Sequence, residues 1–190
     1  LECDWVETIM FPYRSKVSTI DSAIGYTVSE QLLGEALEGR RDRWVIATKS
    51  MARTREAMEQ DIEISLSNFR TGYIDLYQVH NPSMEQLDEV IAEGGALEAL
   101  MEAKEAGKIG HIGITAHSAA VFERALSLDW VETIMFPYNI VESQGAELIA
   151  KCPEKNIGFI AMKPLAGGAI EDASLALRYN CSNPAVTVVI

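Results

Sequence analysis

The chain has 190 residues, 48% of them apolar and 23% charged, with no low-complexity tract, which suits one sizeable core or one large domain with parts missing. A net charge of −12, with no basic run against it, argues against nucleic-acid and anionic-membrane partners, which are bound by stripes of cations. Cys3, Cys152 and Cys181 are far apart and form no CxxC pair, so this chain builds neither a structural zinc site nor an iron–sulfur cluster. Free thiols of a cytoplasmic protein are expected, and neither a signal peptide nor an apolar run of about eighteen residues argues otherwise.

In chain order, the first feature is a repeat. DWVETIMFPY occupies Asp4–Tyr13 and returns unchanged at Asp129–Tyr138. After it, short apolar runs alternate with amphipathic stretches. The runs are VSTID, WVIATK, YIDLYQVH, HIGIT, ETIMFPYN, IGFIAMK and AVTVVI, each too short for a helix and rich in Ile, Val, Tyr or Phe. Between them SEQLLGEALEG, TREAMEQDIEISLSNF, EALMEAKEAG, AAVFERALSL, GAELIAKC and EDASLALRYN carry apolar residues at three- and four-residue intervals, as helices do. Thr27 and Glu30 have capping-box spacing at the first helix start, and Gly39, Gly107 and Asn156 stand where helices end.

Such alternation predicts a parallel sheet with helices outside it, wound into a barrel or an open doubly wound sheet. The G-x-G-x-x-G turn of an open dinucleotide-binding fold is absent. The regularity favours an α/β fold of the (βα)8 TIM-barrel kind, short of the usual length of about 250 residues.

In such a barrel, polar residues at the carboxyl ends of successive strands converge on one mouth. VSTID ends in Asp21, with Tyr26 five residues on; WVIATK ends in Lys49; YIDLYQVH ends in His80. A lysine beside a phenol favours phenolate, an aspartate keeps that lysine charged and placed, and an imidazole orients an acceptor oxygen. Each residue alone has an ordinary explanation: Asp21 as a turn cap, Tyr26 as a loop aromatic, Lys49 as a solvated strand end, His80 as a lone histidine. Their conjunction at consecutive strand ends favours a catalytic site. Asp75, mid-strand, needs a partner if buried, and Arg70 is a candidate. His111 and His117 read as structural, with His117 a candidate for the cofactor's neighbourhood, and Met10, Met135 and Met162 as filler.

The stretches IDSAIGYTVSEQLLGEAL, IATKS, LSNFRTGYIDLYQVHNP, GKIGHIGIT, PYN and MKPLAGG, in this order, resemble the aldo-keto reductases over nearly the whole chain from Lys16. GITAHS, FPYNIVE and IAMKPLAGGAI are most similar to a microbial subgroup with a cysteine-rich, ferredoxin-like C-terminal segment, which this sequence lacks. The resemblance implies NADP(H)-dependent reduction of a small aldehyde or ketone. Tyr26 would be the general acid, Lys49 its tuner, Asp21 the partner of Lys49, and His80 the group orienting the carbonyl. Thr115, Lys163, Leu165 and Gly167 would serve the cofactor. Ala116, Met135 and Met162 depart from residues usual there, as this subgroup does.

The resemblance also implies an incomplete barrel. A copy of the sixth strand stands where the first βα unit belongs, and the last helix is missing. Five residues separate Tyr13 from Thr19, whereas a parallel crossover needs about a dozen or more. Residues 1–15 are therefore expected to be a duplicated strand segment outside the normal barrel order, and residues 16–190 a single partial barrel domain. Three functions compete: an oxidoreductase, a cofactor- or partner-binding module without turnover, and a catalytically impaired barrel fragment.

Overall fold

The computed structural model describes residues 18–190. The duplicated segment expected over residues 1–15 lies outside the described residues, as do Lys16 and Val17. The chain divides into two compact units, one running to Gly113 and the other continuing from Ile114.

The described part of the first unit opens with β1 (Ser18–Asp21), α1 (Ser29–Ala36), β2 (Trp44–Ser50) and α2 (Arg55–Asn68). It continues with β3 (Ile74–Val79), α3 (Met84–Ile91), α4 (Ala96–Glu105) and the start of β4 (Ile109–Thr115). β1 pairs parallel with β2, Asp21 opposite Ala47, and β2 pairs parallel with β3, Lys49 opposite Gln78. β2 is buried along almost its whole length. That is the condition of a parallel strand covered on both faces, and it explains why its sequence reads as a continuous apolar run. Met58, Ile62 and Phe69 from α2 and its end, Leu87 from α3 and Leu100 from α4 are buried outside the strands. Each such side chain contributes about 1.5–3 kcal/mol.

The second unit holds α5 (Ala119–Ala125), β5 (Thr133–Pro137), α6 (Ala146–Ile149), β6 (Gly158–Met162), α7 (Ala173–Ser182) and β7 (Val186–Val189). β5 pairs parallel with β6, and β6 with β7. The β6–β7 register slips between Phe159 and Ile160, where Thr187 Oγ1 accepts the Phe159 N–H at 3.0 Å in place of a ladder bond. The core here is aromatic: Phe122 lies 5.2 Å from Phe136 and 5.8 Å from Phe159, ring centroid to ring centroid. β5 is the second copy of the repeat, fully buried from Thr133 to Pro137.

Every apolar run of the sequence within residues 18–190 contains a strand, and Gly39, Gly107 and Asn156 adopt the left-handed backbone that stops a helix. Three details differ from expectation. The helix α3 is an addition, marked by a capping box in which Ser83 and Gln86 satisfy each other's backbone N–H groups. Thr27 and Glu30 form no such box: Val28 occupies the cap position with no side-chain cap, and Glu30 is buried and bonded elsewhere. Asp75 pairs with Arg41, Nη2 to Oδ2 at 2.6 Å, and accepts the Ile46 N–H at 2.8 Å. Arg70 instead meets Glu35 and Glu38 on the surface. No described helix is long and apolar enough to cross a membrane.

Candidate active site

The first unit brings four of the expected residues together. Asp21 is the last residue of β1, Lys49 the penultimate residue of β2, and His80 follows β3 directly. Parallel pairing in sequence order puts these carboxyl ends side by side. Tyr26 belongs to the loop after β1, which extends the ladder before turning: Ser22 N donates to Ala47 O at 3.0 Å and Ile24 N to Lys49 O at 3.2 Å. A turn closed by Tyr26 N on Ala23 O at 2.9 Å then lifts the phenol over the strand ends.

Lys49 is only 3% exposed although it is a lysine, and a buried ammonium needs partners. It has two: Asp21 Oδ2 at 2.5 Å and the Ser22 carbonyl at 2.7 Å. Its Nζ also lies over the Tyr26 ring, 5.1 Å from the centroid, so the cation meets the phenol through the ring face. The Tyr26 and His80 rings stand edge to face, centroids 6.2 Å apart and planes at 83°. Tyr26 is 48% exposed, so the phenol is both supported from beneath and open to a ligand. Burial raises the Asp21 carboxyl above the ordinary carboxylate range, and the Lys49 charge with its hydrogen bond opposes that rise.

Several residues that the sequence reading passed over complete the site. Gln78, fully buried opposite Lys49, directs Nε2 at Asp21 Oδ1 over 3.4 Å, while its Oε1 has no partner among the described residues. The His80 backbone is held on both sides: its N–H donates to Ser50 O at 2.8 Å, and its carbonyl accepts from Arg53 Nη2 at 2.8 Å. Gln78 was legible from strand alternation, since it shares the parity of His80 along β3. Arg53 lies in a loop and carried no periodic signal.

The residues expected to serve a cofactor lie in the second unit. Thr115 ends β4 and is buried. Lys163, Leu165 and Gly167 belong to the turn after β6, where Lys163, Ala166, Gly167 and Gly168 all have positive φ, from +50° to +98°. Two non-glycine residues in that region mark a backbone held in shape by its surroundings. Asn139, fully buried, does part of the holding: its Nδ2 donates to Lys163 O at 2.9 Å and to Glu142 Oε2 at 2.7 Å. A Cβ placed on Gly167 or Gly168 would meet nothing within 4 Å, so this backbone faces open space, as an approaching phosphate requires. His117 has its pKa lowered first by partial burial and then by the nearby Lys163 charge, with Glu142 opposing. It therefore shares the electrostatic surroundings of that turn. Among the described residues no cluster of His, Cys, Asp and Glu could hold a metal ion.

The family model for the aldo/keto reductase family matches residues 11–185, nearly the whole chain. The chain belongs to the aldo/keto reductase family. Among its relatives is the aldo-keto reductase YhdN of Bacillus subtilis, 30% identical over 165 residues, covering 80% of this chain and 48% of that protein. The fold is that of solved aldo-keto reductases. AKR11C1 of Bacillus halodurans superposes with a TM-score of 0.79 at 24% identity, covering 98% of this chain and 74% of that one. The Klebsiella pneumoniae aldo/keto reductase, solved with NADP and acetate, gives 0.77 at 23% identity, covering 91% of this chain and 69% of that one. The chain spans about half the length of the curated relatives it matches.

Proposed function

We propose that the site reduces an aldehyde or ketone of a small molecule to the alcohol, with Tyr26 as the general acid, on a barrel domain over residues 16–190 that is an incomplete (βα)8 barrel. The observation that carries this reading is the buried Lys49–Asp21 pair seated under the exposed face of Tyr26 with His80 at its edge. NADP(H), when bound, supplies the hydride. Tyr26 Oη gives its proton to the carbonyl oxygen as the carbon is reduced, and the resulting phenolate is stabilised by the Lys49 ammonium. Asp21 holds that ammonium in place through their ion pair, and His80 orients the carbonyl oxygen toward the phenol. Thr115 and the Lys163–Gly167 turn would hold the cofactor. The open backbone at Gly167 and the Lys163 charge support that assignment, and the cofactor-bound Klebsiella homologue supports NADP(H) as its class.

Fluorescence titration of the purified protein with NADPH, using Trp44 and Trp130, followed by addition of a simple aldehyde, tests the reading. Binding with turnover is expected, and Tyr26→Phe should lower kcat by about a hundredfold or more. Binding without turnover would instead support a cofactor-binding module, and the absence of binding a chain that keeps the residues without the activity.

A further inference from the structure

The other face of the catalytic strands carries a second polar cluster. Thr48 and Tyr77, the residues just before Lys49 and Gln78, are a registered pair pointing away from the site. Between them and the helices lies Glu30, only 3% exposed. Its Oε1 accepts from Thr48 Oγ1 at 2.6 Å and from Ser65 Oγ at 2.9 Å, and its Oε2 accepts from Asn68 Nδ2 at 3.0 Å. Ser65 in turn meets the Tyr77 hydroxyl at 3.3 Å. A carboxylate buried on the inner face of a helix is costly, and the catalytic chemistry described above leaves this one unused.

We infer that Glu30 is a positioning residue, which fixes the Tyr26 loop against the strand that carries Lys49. The inference rests on the reading of Tyr26 as the proton donor. Glu30 follows Tyr26 by four residues, across a turn in which Thr27 has φ +53°. Its partner Thr48 is adjacent to Lys49, so the bond between them joins the two halves of the phenol–ammonium contact from behind. Ser22 Oγ, donating to Ser29 Oγ at 2.8 Å, ties the same loop at its start and end. The backbone ladder bonds to β2 stop at Ile24, and past them Tyr26 sits between short-range turns, its N–H on Ala23 O and its carbonyl on Ser29 N, while the phenol itself is half in solvent. α1 is clamped at the same level, because a Cβ on Gly34 would come within 2.1 Å of the Asn68 carbonyl oxygen.

The deciding readout is the set of nuclear Overhauser cross-peaks between the Tyr26 ring and the Lys49 methylenes, measured on the full chain without cofactor or substrate. Thr48→Val keeps the shape and removes the hydroxyl, and it should abolish those cross-peaks. Thr48→Ser keeps the hydroxyl and should retain them. Ile62→Val, which trims a buried side chain of α2 outside the network, lowers stability and should leave them intact. Cross-peaks that survive in Thr48→Val, or that vanish equally in Ile62→Val, overturn the inference. In turnover assays Thr48→Val should lose roughly tenfold or more in kcat at unchanged KM. If Tyr26→Phe reduced the aldehyde as fast as the parent chain, the proton-donor reading would fall, whereas the cross-peak series would still report on what Glu30 holds.

Discussion

Lys49 and Asp21 form an ion pair whose two members are unequally dispensable. Asp21→Asn would leave a buried ammonium with only the Ser22 carbonyl and a neutral amide, and breaking such a pair costs about 3–5 kcal/mol. Lys49→Met leaves a buried carboxyl that has an escape, because burial already raises its pKa and the opposing lysine is gone. A raised folded-state pKa gives stability below the unfolded value that is lost as pH rises through the folded one. The stability gap between Lys49→Met and the parent chain should therefore narrow as pH falls from 7 toward the ordinary aspartate value of 3.8. Urea unfolding at several pH values measures it, and a constant gap would refute the argument. His117 obeys the opposite sign. Its pKa is lowered in the folded chain, so its contribution is complete above the ordinary histidine value and is lost as pH falls below it. Lys163→Gln removes the charge that lowers it and should raise the His117 midpoint in an NMR titration, placing the imidazole beside the turn after β6.

Helix α1 shows where a sequence pattern is read correctly in outline and wrongly in detail. Glu30, Gly34 and Leu37 follow one another at helical spacing on one face, and all three are buried. A charged residue on an otherwise apolar face was a visible signal of a buried partner. Capping-box spacing competed for the same residue, and tertiary hydrogen bonds won. Gly34 is the other exception on that face. In an ordinary helix Gly→Ala stabilises, because glycine loses more backbone freedom on folding. Here the new methyl would meet the Asn68 carbonyl oxygen and the Phe69 backbone, so α1 would have to move off α2. Gly34→Ala should destabilise by about 1–3 kcal/mol, as overpacking does. A chemical-denaturation midpoint that rises instead would show that the helices part freely. The capping box of α3 was equally legible as Ser83 and Gln86, yet it precedes a short helix whose pattern merges into the next.

Across the described residues, the strands were legible because buried parallel strands leave continuous apolar runs, and Asp21, Lys49 and His80 were legible because each ends such a run, with Tyr26 in the loop after the first. What could not be read was which partner each buried polar group would choose. Asp75 chose Arg41 over Arg70 because the short turn before β2 delivers the Arg41 guanidinium to the Trp44 and Tyr73 carbonyls as well. Cysteine reactivity carries the same lesson to a measurement on the second unit. Cys152 is fully buried after α6, with its thiol pushed up to about 12 by burial, while Cys181 on α7 is exposed. A thiol alkylates as its thiolate, so at pH 8 Cys181 should label promptly and Cys152 only through opening of the surrounding structure. Peptide-resolved alkylation against increasing urea should then give a Cys152 rate that climbs with the fraction opened, while the Cys181 rate stays nearly flat. The raised pKa adds a pH signature. Stability from the protonated Cys152 is complete below the ordinary thiol value of 9.0 and is lost as pH climbs toward 12. Cys152→Ala should remove that alkaline loss at the cost of a small cavity. Equal labelling of both thiols in the native chain would mean that residues 114–190 do not close around their aromatic core.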